Sequence, residues 1–261
     1  MKYGICLQTS TAVRHAGSHR SEMTSQLLFG ETFRVVEEDK GWVRIEGTLD
    51  NYFGWIEKIA ATKLSERTFN KITAFPLCTL DIKPVSVALA DGNSMHVLPG
   101  STLPFFDPAQ RMLTIEDRNF VLNQMPETGA LKATHETVIK TALCFLNSPY
   151  LWGGRSLFGI DCSGFTQVVY KINHISIPRD AGQQVSEGTP VETVESAMPG
   201  DLAFFKDKKD KISHVGIMIE NNRIIHASGH VKINKLDQTG IYDSENDNYT
   251  HILHSIRRYF A

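Results

Sequence analysis

Apolar and polar positions alternate in short runs over the first quarter of the chain. Leu27-Leu28-Phe29-Gly30-Glu31-Thr32-Phe33-Arg34-Val35-Val36 passes from an apolar run into an alternating one, and Trp42-Val43-Arg44-Ile45 alternates throughout. Glu37-Glu38-Asp39-Lys40-Gly41 is a charged turn between them, and Tyr52-Phe53-Gly54-Trp55-Ile56 is a further strand with aromatics. A period of two marks a half-buried strand, and short strands split by charged turns predict a small β-barrel. A second β-rich stretch runs from Phe75 to Leu122, with Pro76, Pro84, Pro99, Pro104 and Pro108 as breakers. Its predicted strands are Val85–Leu89 and Met95–Gly100. It fits either a second, degenerate barrel or a linker domain of other β topology.

The period changes near Gly129. From His135 to Leu146 the apolar residues Val138, Ile139, Ala142, Leu143 and Leu146 have helical spacing, and Asn147, Ser148 and Pro149 end the run. Phe165, Val168, Val169 and Ile172 repeat that spacing beyond Cys162, with Asp161 supplying an acidic helix start. Pro199-Gly200-Asp201 then turns into a buried strand, Leu202–Phe205, followed by a charged loop from Lys206 to Lys211. The hairpin's second strand is predicted to begin at His214, and a further strand covers Arg223–Ser228. The pattern predicts an α+β protein with a barrel in residues 1–68, a second β region in 69–128 and an α+β domain in 129–261.

Composition narrows the class. With 261 residues, 41% hydrophobic and 21% charged, the chain is an ordinary globular protein. A formal charge of −2 and a pI near 6.6 provide no basic field, so nucleic acid is not an expected partner. No apolar run has the length of a membrane span, and the opening MKYGICLQTS lacks the apolar core of a signal peptide. The expected location is the cytoplasm, or the periplasm or cell envelope if a signal has been removed. The four cysteines show no Cys-x-x-Cys spacing, so neither a zinc site nor a redox dithiol is indicated, and no cofactor is expected. Cys6, Cys78 and Cys144 are read as buried small hydrophobes.

Cys162 is different. A thiol in the first turn of a helix faces unpaired N–H groups and the positive end of the helix dipole, which predicts a lowered pKa. An imidazole beside it would give a thiolate–imidazolium pair. Gly164 allows the turn to pack closely, and the Cys162 N–H is placed to serve an oxyanion. His214 is the candidate base, and His226 is positioned to bond its far nitrogen and fix its tautomer. Either histidine alone would more often be a satisfied core residue.

The series SEMTSQLLFGE, GWVRI and NYFGWI resembles a bacterial SH3 (SH3b) domain. GIDCSGF, MPGDLAFF, SHVGIMI and IIHASG, in that order, closely resemble the papain-like NlpC/P60 family of cysteine peptidases over about Thr134 to His254. That resemblance implies Cys162 as nucleophile, His214 as base and His226 as the third residue. It also implies hydrolysis of γ-D-glutamyl bonds to diamino acids in peptidoglycan stem peptides. In the branch where SH3b precedes the catalytic domain, Asp180 of PRDA would hold the free amino terminus of L-Ala. Tyr52, with Glu22 or alternatively Glu31, would wall off the cleft, and Tyr150, Asp161 and Ser163 would complete the contacts. Ala181 stands where some relatives carry Ser. Other readings stay open: Asp161 as a helix cap only, Asp180 paired with Arg179 on the surface, and Tyr52 and Trp55 as barrel core. At the level of function the alternatives are an endopeptidase or amidase acting on intact peptidoglycan, and a non-catalytic protein that binds wall peptides.

Overall fold

Strands β1 (Tyr3–Ile5), β2 (Ser10–Arg14), β3 (Met23–Leu28), β4 (Thr32–Asp39), β5 (Trp42–Gly47), β6 (Phe53–Glu57) and β7 (Thr62–Leu64) pair antiparallel in the order β3-β2-β6-β5-β4-β1-β7. The computed structural model describes residues 1–74, 79–81, 83–89, 92–127, 133–220 and 222–260. Phe75, Pro76, Cys78 and Gly129, named above, lie outside them. The inward positions Val13, Leu27, Phe33, Val43, Ile45 and Ile56 form one apolar core with Cys6. Tyr52 and Trp55 are half-buried and outside that core, so they are not barrel-core residues. The charged turn expected at Glu37–Gly41 is shorter than predicted. β4 continues to Asp39, which pairs with Trp42, and only Lys40 and Gly41 turn, both at positive φ. A two-residue turn of that kind matches strand twist, so the acidic residues remain on the exposed end of the strand.

Helix α1 (Glu66–Ala74), which the strand pattern did not reveal, follows β7 and buries Phe69 and Ile72. Strands β8 (Val85–Leu89), β9 (Ser94–Val97), β10 (Met112–Ile115) and β11 (Arg118–Leu122) form an antiparallel sheet in the order β10-β11-β8-β9. Its inner residues Val85, Val87, Leu113, Ile115 and Phe120 share a core with Ile5, Phe29, Leu64, Phe69 and Ile72. Both β regions thus belong to one compact unit, Met1–Ala130, and the rest of the chain forms a second, Leu131–Ala261.

In the second unit α2 (His135–Leu143) begins at Thr134, whose hydroxyl accepts the Thr137 N–H while the Thr137 hydroxyl accepts the Thr134 N–H. The helix stops earlier than predicted. Its buried face is Val138, Thr141 and Ala142, with Phe145 just beyond, while Leu143 and Leu146 are exposed. Cys144, expected inside, is exposed at the helix end, on the face away from Val138. Cys6 is buried. A short β12 (Arg155–Ser156) and β13 (Gly159–Ile160) precede α3 (Cys162–Ile172), and α4 (Ala181–Gln184) follows it.

The remaining strands are β14 (Thr189–Val191), β15 (Leu202–Lys206), β16 (Ile212–Glu220), β17 (Arg223–Ser228), β18 (His230–Leu236), β19 (Gly240–Asp243) and β20 (Asn248–Arg258). Because β20 pairs with both β15 and β19, the sheet from β15 to β20 closes on itself. Ala203, Phe205, Met218, Ile224, Leu236, Ile241 and Ile256 fill the closed face, and α3 packs on β16 and β17. The PGD turn entering β15 is held by Asp201, whose carboxylate accepts two N–H bonds from Arg258 at 2.9 and 2.7 Å and the Met198 N–H at 2.8 Å. Among the described residues no helix is long and apolar enough to cross a membrane.

Candidate active site

Asp161 caps α3. Its Oδ1 accepts the Gly164 N–H at 2.6 Å and its Oδ2 the Gly153 N–H at 2.8 Å, which ties the loop before the helix to its first turn. A β-carbon on Gly164 would lie 2.3 Å from the Gly154 carbonyl oxygen, so only glycine lets loop and helix approach this closely. The same carboxylate takes both arms of Arg179, at 2.6 and 3.1 Å, and Arg179 also donates to the Ser163 hydroxyl at 2.8 Å. Arg179 is only 1% exposed. It is therefore not a surface residue but a buried anchor for the helix that carries Cys162. Nothing in the sequence pattern singled it out, because an arginine in a loop is ordinarily solvated. Gln184, also buried, links the same parts: its amide donates to the carbonyls of Ser163 and Pro178, and its oxygen accepts the Thr166 hydroxyl.

Cys162 is the first helical residue and is buried. The backbone N–H groups of Val215 and Ser163 lie near enough to its sulfur to favour the thiolate, and Val215 is the residue of β16 that follows His214. Burial pushes the thiol up to about 12, the Asp161 carboxylate adds to the rise, and the two N–H groups and Arg179 only partly oppose it. The lowered pKa expected from the helix terminus is thus reversed. The positive end of α3 is already taken by the Asp161 carboxylate, so the sulfur gains little from it.

His214 is the third residue of β16, two positions further in than predicted, and His226 the fourth of β17. Opposed and alternate residues on paired strands share a face. His214 lies opposite Phe205, and His226 is two residues after Ile224, so both histidines continue the closed apolar face. Their rings meet nearly edge on, with His214 Nε2 and His226 Nδ1 2.8 Å apart. Burial drives His214 well below the usual imidazole range, helped by His226 and His251, and brings His226 down to about 4. Burial thus favours the neutral forms of the thiol and of both imidazoles. Two further residues complete the cluster: Asn234, whose Oδ1 is 3.0 Å from His226 Nε2, and His251, stacked on His214 with centroids 4.1 Å apart. Neither stands in a motif read from the sequence.

The other predicted residues fall in two groups. Tyr150 is half-buried before α3, and burial followed by the proximity of Cys162 and Asp161 raises its hydroxyl to about 12. Ser163 and Ala181 are buried, while Asp180 is exposed at the start of α4, where its N–H donates to the Gln183 side chain at 3.4 Å. Tyr52 and Glu22 belong to the first unit, half-buried and exposed respectively. The alternative Glu31 is buried there, and its carboxylate accepts the Leu28 N–H at 3.0 Å.

Comparison with known proteins places this site in a family. A model described as the NlpC/P60 family matches residues 147–248, and one described as the bacterial dipeptidyl-peptidase Sh3 domain matches residues 13–60. A γ-D-glutamyl-L-lysine dipeptidyl-peptidase of Bacillus subtilis is 31% identical, over 91% of this chain and 81% of that protein. The chain belongs to the NlpC/P60 family. It is a cysteine peptidase with an N-terminal SH3 domain. The protein of the same name from Bacillus cereus is 28% identical, over 80% of this chain and 68% of its own length. The fold matches the crystal structure of an NlpC/P60 family protein from Bacillus cereus with a TM-score of 0.83, covering 99% of this chain and 100% of that one at 21% identity.

Proposed function

We propose that this peptidase hydrolyses the bond between γ-D-glutamate and a diamino acid in peptidoglycan stem peptides that begin with a free L-Ala. The relatives that match most of the chain carry dipeptidyl-peptidase names that specify a γ-D-glutamyl-L-lysine bond. The observation that carries the reaction type is the 2.8 Å bond between His214 and His226 on β16 and β17, the strands against which the helix that starts at the buried Cys162 packs. Cys162 is the nucleophile, His214 its base and His226 the residue that holds His214.

Burial favours neutral groups at the start of the reaction. As the sulfur attacks the γ-carbonyl, its proton passes to His214, and the Cys162 N–H at the helix start steadies the oxyanion. His214 then protonates the leaving amine of the diamino acid, forming a thioester, and activates the water that hydrolyses it. Asp180 receives the substrate ammonium, and Tyr150 and Ser163 line the approach to the sulfur. Asp161, which takes donors from Gly153, Ser163, Gly164 and Arg179, acts mainly by holding Cys162 in place.

The test is product analysis on L-Ala-γ-D-Glu-L-Lys, its diaminopimelate counterpart, the N-acetylated forms and intact peptidoglycan. Release of L-Ala-D-Glu from free peptides only, lost in Cys162→Ala, is the expected result. Equal cleavage of the acetylated peptides, or of intact wall, would replace the dipeptidyl-peptidase reading with an endopeptidase.

A further inference from the structure

A neutral histidine can act as base only at the nitrogen that lacks a proton, so a buried histidine relay works in one tautomer and fails in the other. His226 Nδ1 holds His214 Nε2, which leaves His214 Nδ1 for the thiol. Whether that nitrogen offers a lone pair or a proton is decided at the far end of the chain of bonds, at Asn234.

We infer that Asn234 is a positioning residue that sets the tautomers of both histidines so that His214 Nδ1 is the base; the inference rests on the assignment of Cys162 and His214 proposed above. The Asn234 side chain lies between His226 Nε2, 3.0 Å from Oδ1, and the Tyr242 carbonyl, 3.4 Å from Nδ2. A carbonyl accepts and never donates, so only the amide NH₂ faces Tyr242 favourably, and Oδ1 must then face His226. An acceptor at that point requires His226 to carry its proton on Nε2. Its Nδ1 is then a lone pair that accepts the His214 Nε2–H. His214 Nδ1 is left unprotonated. Turned over, the amide would oppose its oxygen to the Tyr242 carbonyl, move the His226 proton to Nδ1 and force the His214 proton onto Nδ1, where it blocks the base.

β-Structure fixes the orienting carbonyl. Asn234 lies on β18 and Tyr242 on β19, adjacent strands whose register pairs Lys235 with Tyr242. The groups facing His226 are His214 on β16, His251 on β20, Asn234, and Lys232 and His230 on β18. No carboxylate is among those named, so the bond from Asn234 is the contact that favours the Nε2–H form.

Two variants separate this role from a structural one. Asn234→Leu keeps the volume but removes the acceptor, and kcat is expected to fall about 10- to 100-fold with little change in KM. Asn234→Asp keeps an acceptor but stabilises the doubly protonated His226, so the acid limb of kcat/KM moves to higher pH. The tautomer itself is read by ¹⁵N NMR of the imidazoles in Cys162→Ala protein. His214 Nδ1 is expected to be unprotonated with Asn234 and to gain protonation in Asn234→Leu. Unchanged kcat, pH profile and nitrogen shifts in both variants overturn the inference. Turnover that survives Cys162→Ala overturns the proposed mechanism instead, and the nitrogen spectrum still decides the tautomer.

Discussion

Gly216 faces His226 with no room for a side chain: a β-carbon at Gly216 would lie 2.8 Å from the His226 β-carbon and 2.8 Å from Ile224 Cδ1. The glycine of the HVGI motif therefore sets how closely β17 approaches β16, and with it the 2.8 Å bond between the two histidines. Gly216→Ala must push β17 outward. Misplacing a catalytic group by about 1 Å costs on the order of 100-fold in rate. Steady-state kinetics should show that loss in kcat with a nearly constant KM, and a folded variant with full activity would contradict it.

Arg179 and Asp161 form a buried ion pair in which either partner alone would be costly. With Arg179 removed, Asp161 keeps the Gly153 and Gly164 N–H groups but loses its counter-charge. Breaking such a pair typically costs about 3–5 kcal/mol. Arg179→Met is expected to lower the urea midpoint of the second unit by a corresponding amount and to loosen the Cys162 turn. Arg179→Lys should rescue little, because an ammonium cannot reproduce the two-armed contact. Stability equal to wild type in Arg179→Met would show that the pair contributes nothing net.

The parts of the site legible in the sequence are those marked by local pattern. The helix at Cys162, its Asp161 cap, the close packing at Gly164 and the strands bearing His214 and His226 all follow from spacing within a few residues. Arg179, Gln184, Asn234 and His251 were not legible, because each acquires its role from a partner on another element. The same reason reversed the expected state of Cys162: burial and the Asp161 carboxylate, both products of tertiary packing, outweigh the helix terminus. In the fold, periodicity located β5, β8 and the start of α3, but α1 and the early end of α2 depend on how the chain turns to bury Phe69, Thr141 and Phe145. The closure of the sheet between β19 and β20 is wholly non-local.

His226 links stability to pH. Burial lowers it from 6.5 to about 4 in the folded protein, so the folded state binds a proton less readily than the unfolded one. Its contribution is fully present above pH 6.5 and is lost as the pH falls toward 4. At about 1.4 kcal/mol per pH unit the loss is on the order of 3 kcal/mol. Urea denaturation at pH 7 and pH 4 should therefore show a smaller drop for His226→Gln than for wild type. Parallel pH dependences for the two proteins would count against a buried neutral His226.

His251 lies beyond the residues matched by the family model, yet its ring stacks on that of His214 at 4.1 Å and 29°. It is half-buried, and the groups around it are His214, His226, Phe205, the Thr250 hydroxyl and Lys232. Burial and Lys232 lower its pKa, and because it is half-buried where His214 and His226 are buried, it is the ring of the three that solvent reaches most readily on acidification. A charge there opposes the imidazolium that His214 must become when it takes the thiol proton. The acid limb of kcat/KM then reports His251. His251→Phe keeps a flat ring over His214 but cannot titrate, so its acid limb is expected at lower pH, with activity at pH 8 within about twofold of wild type. His251→Ala removes the stack as well and should lower kcat across the whole range. Superimposable acid limbs in wild type and His251→Phe would assign that limb to another group.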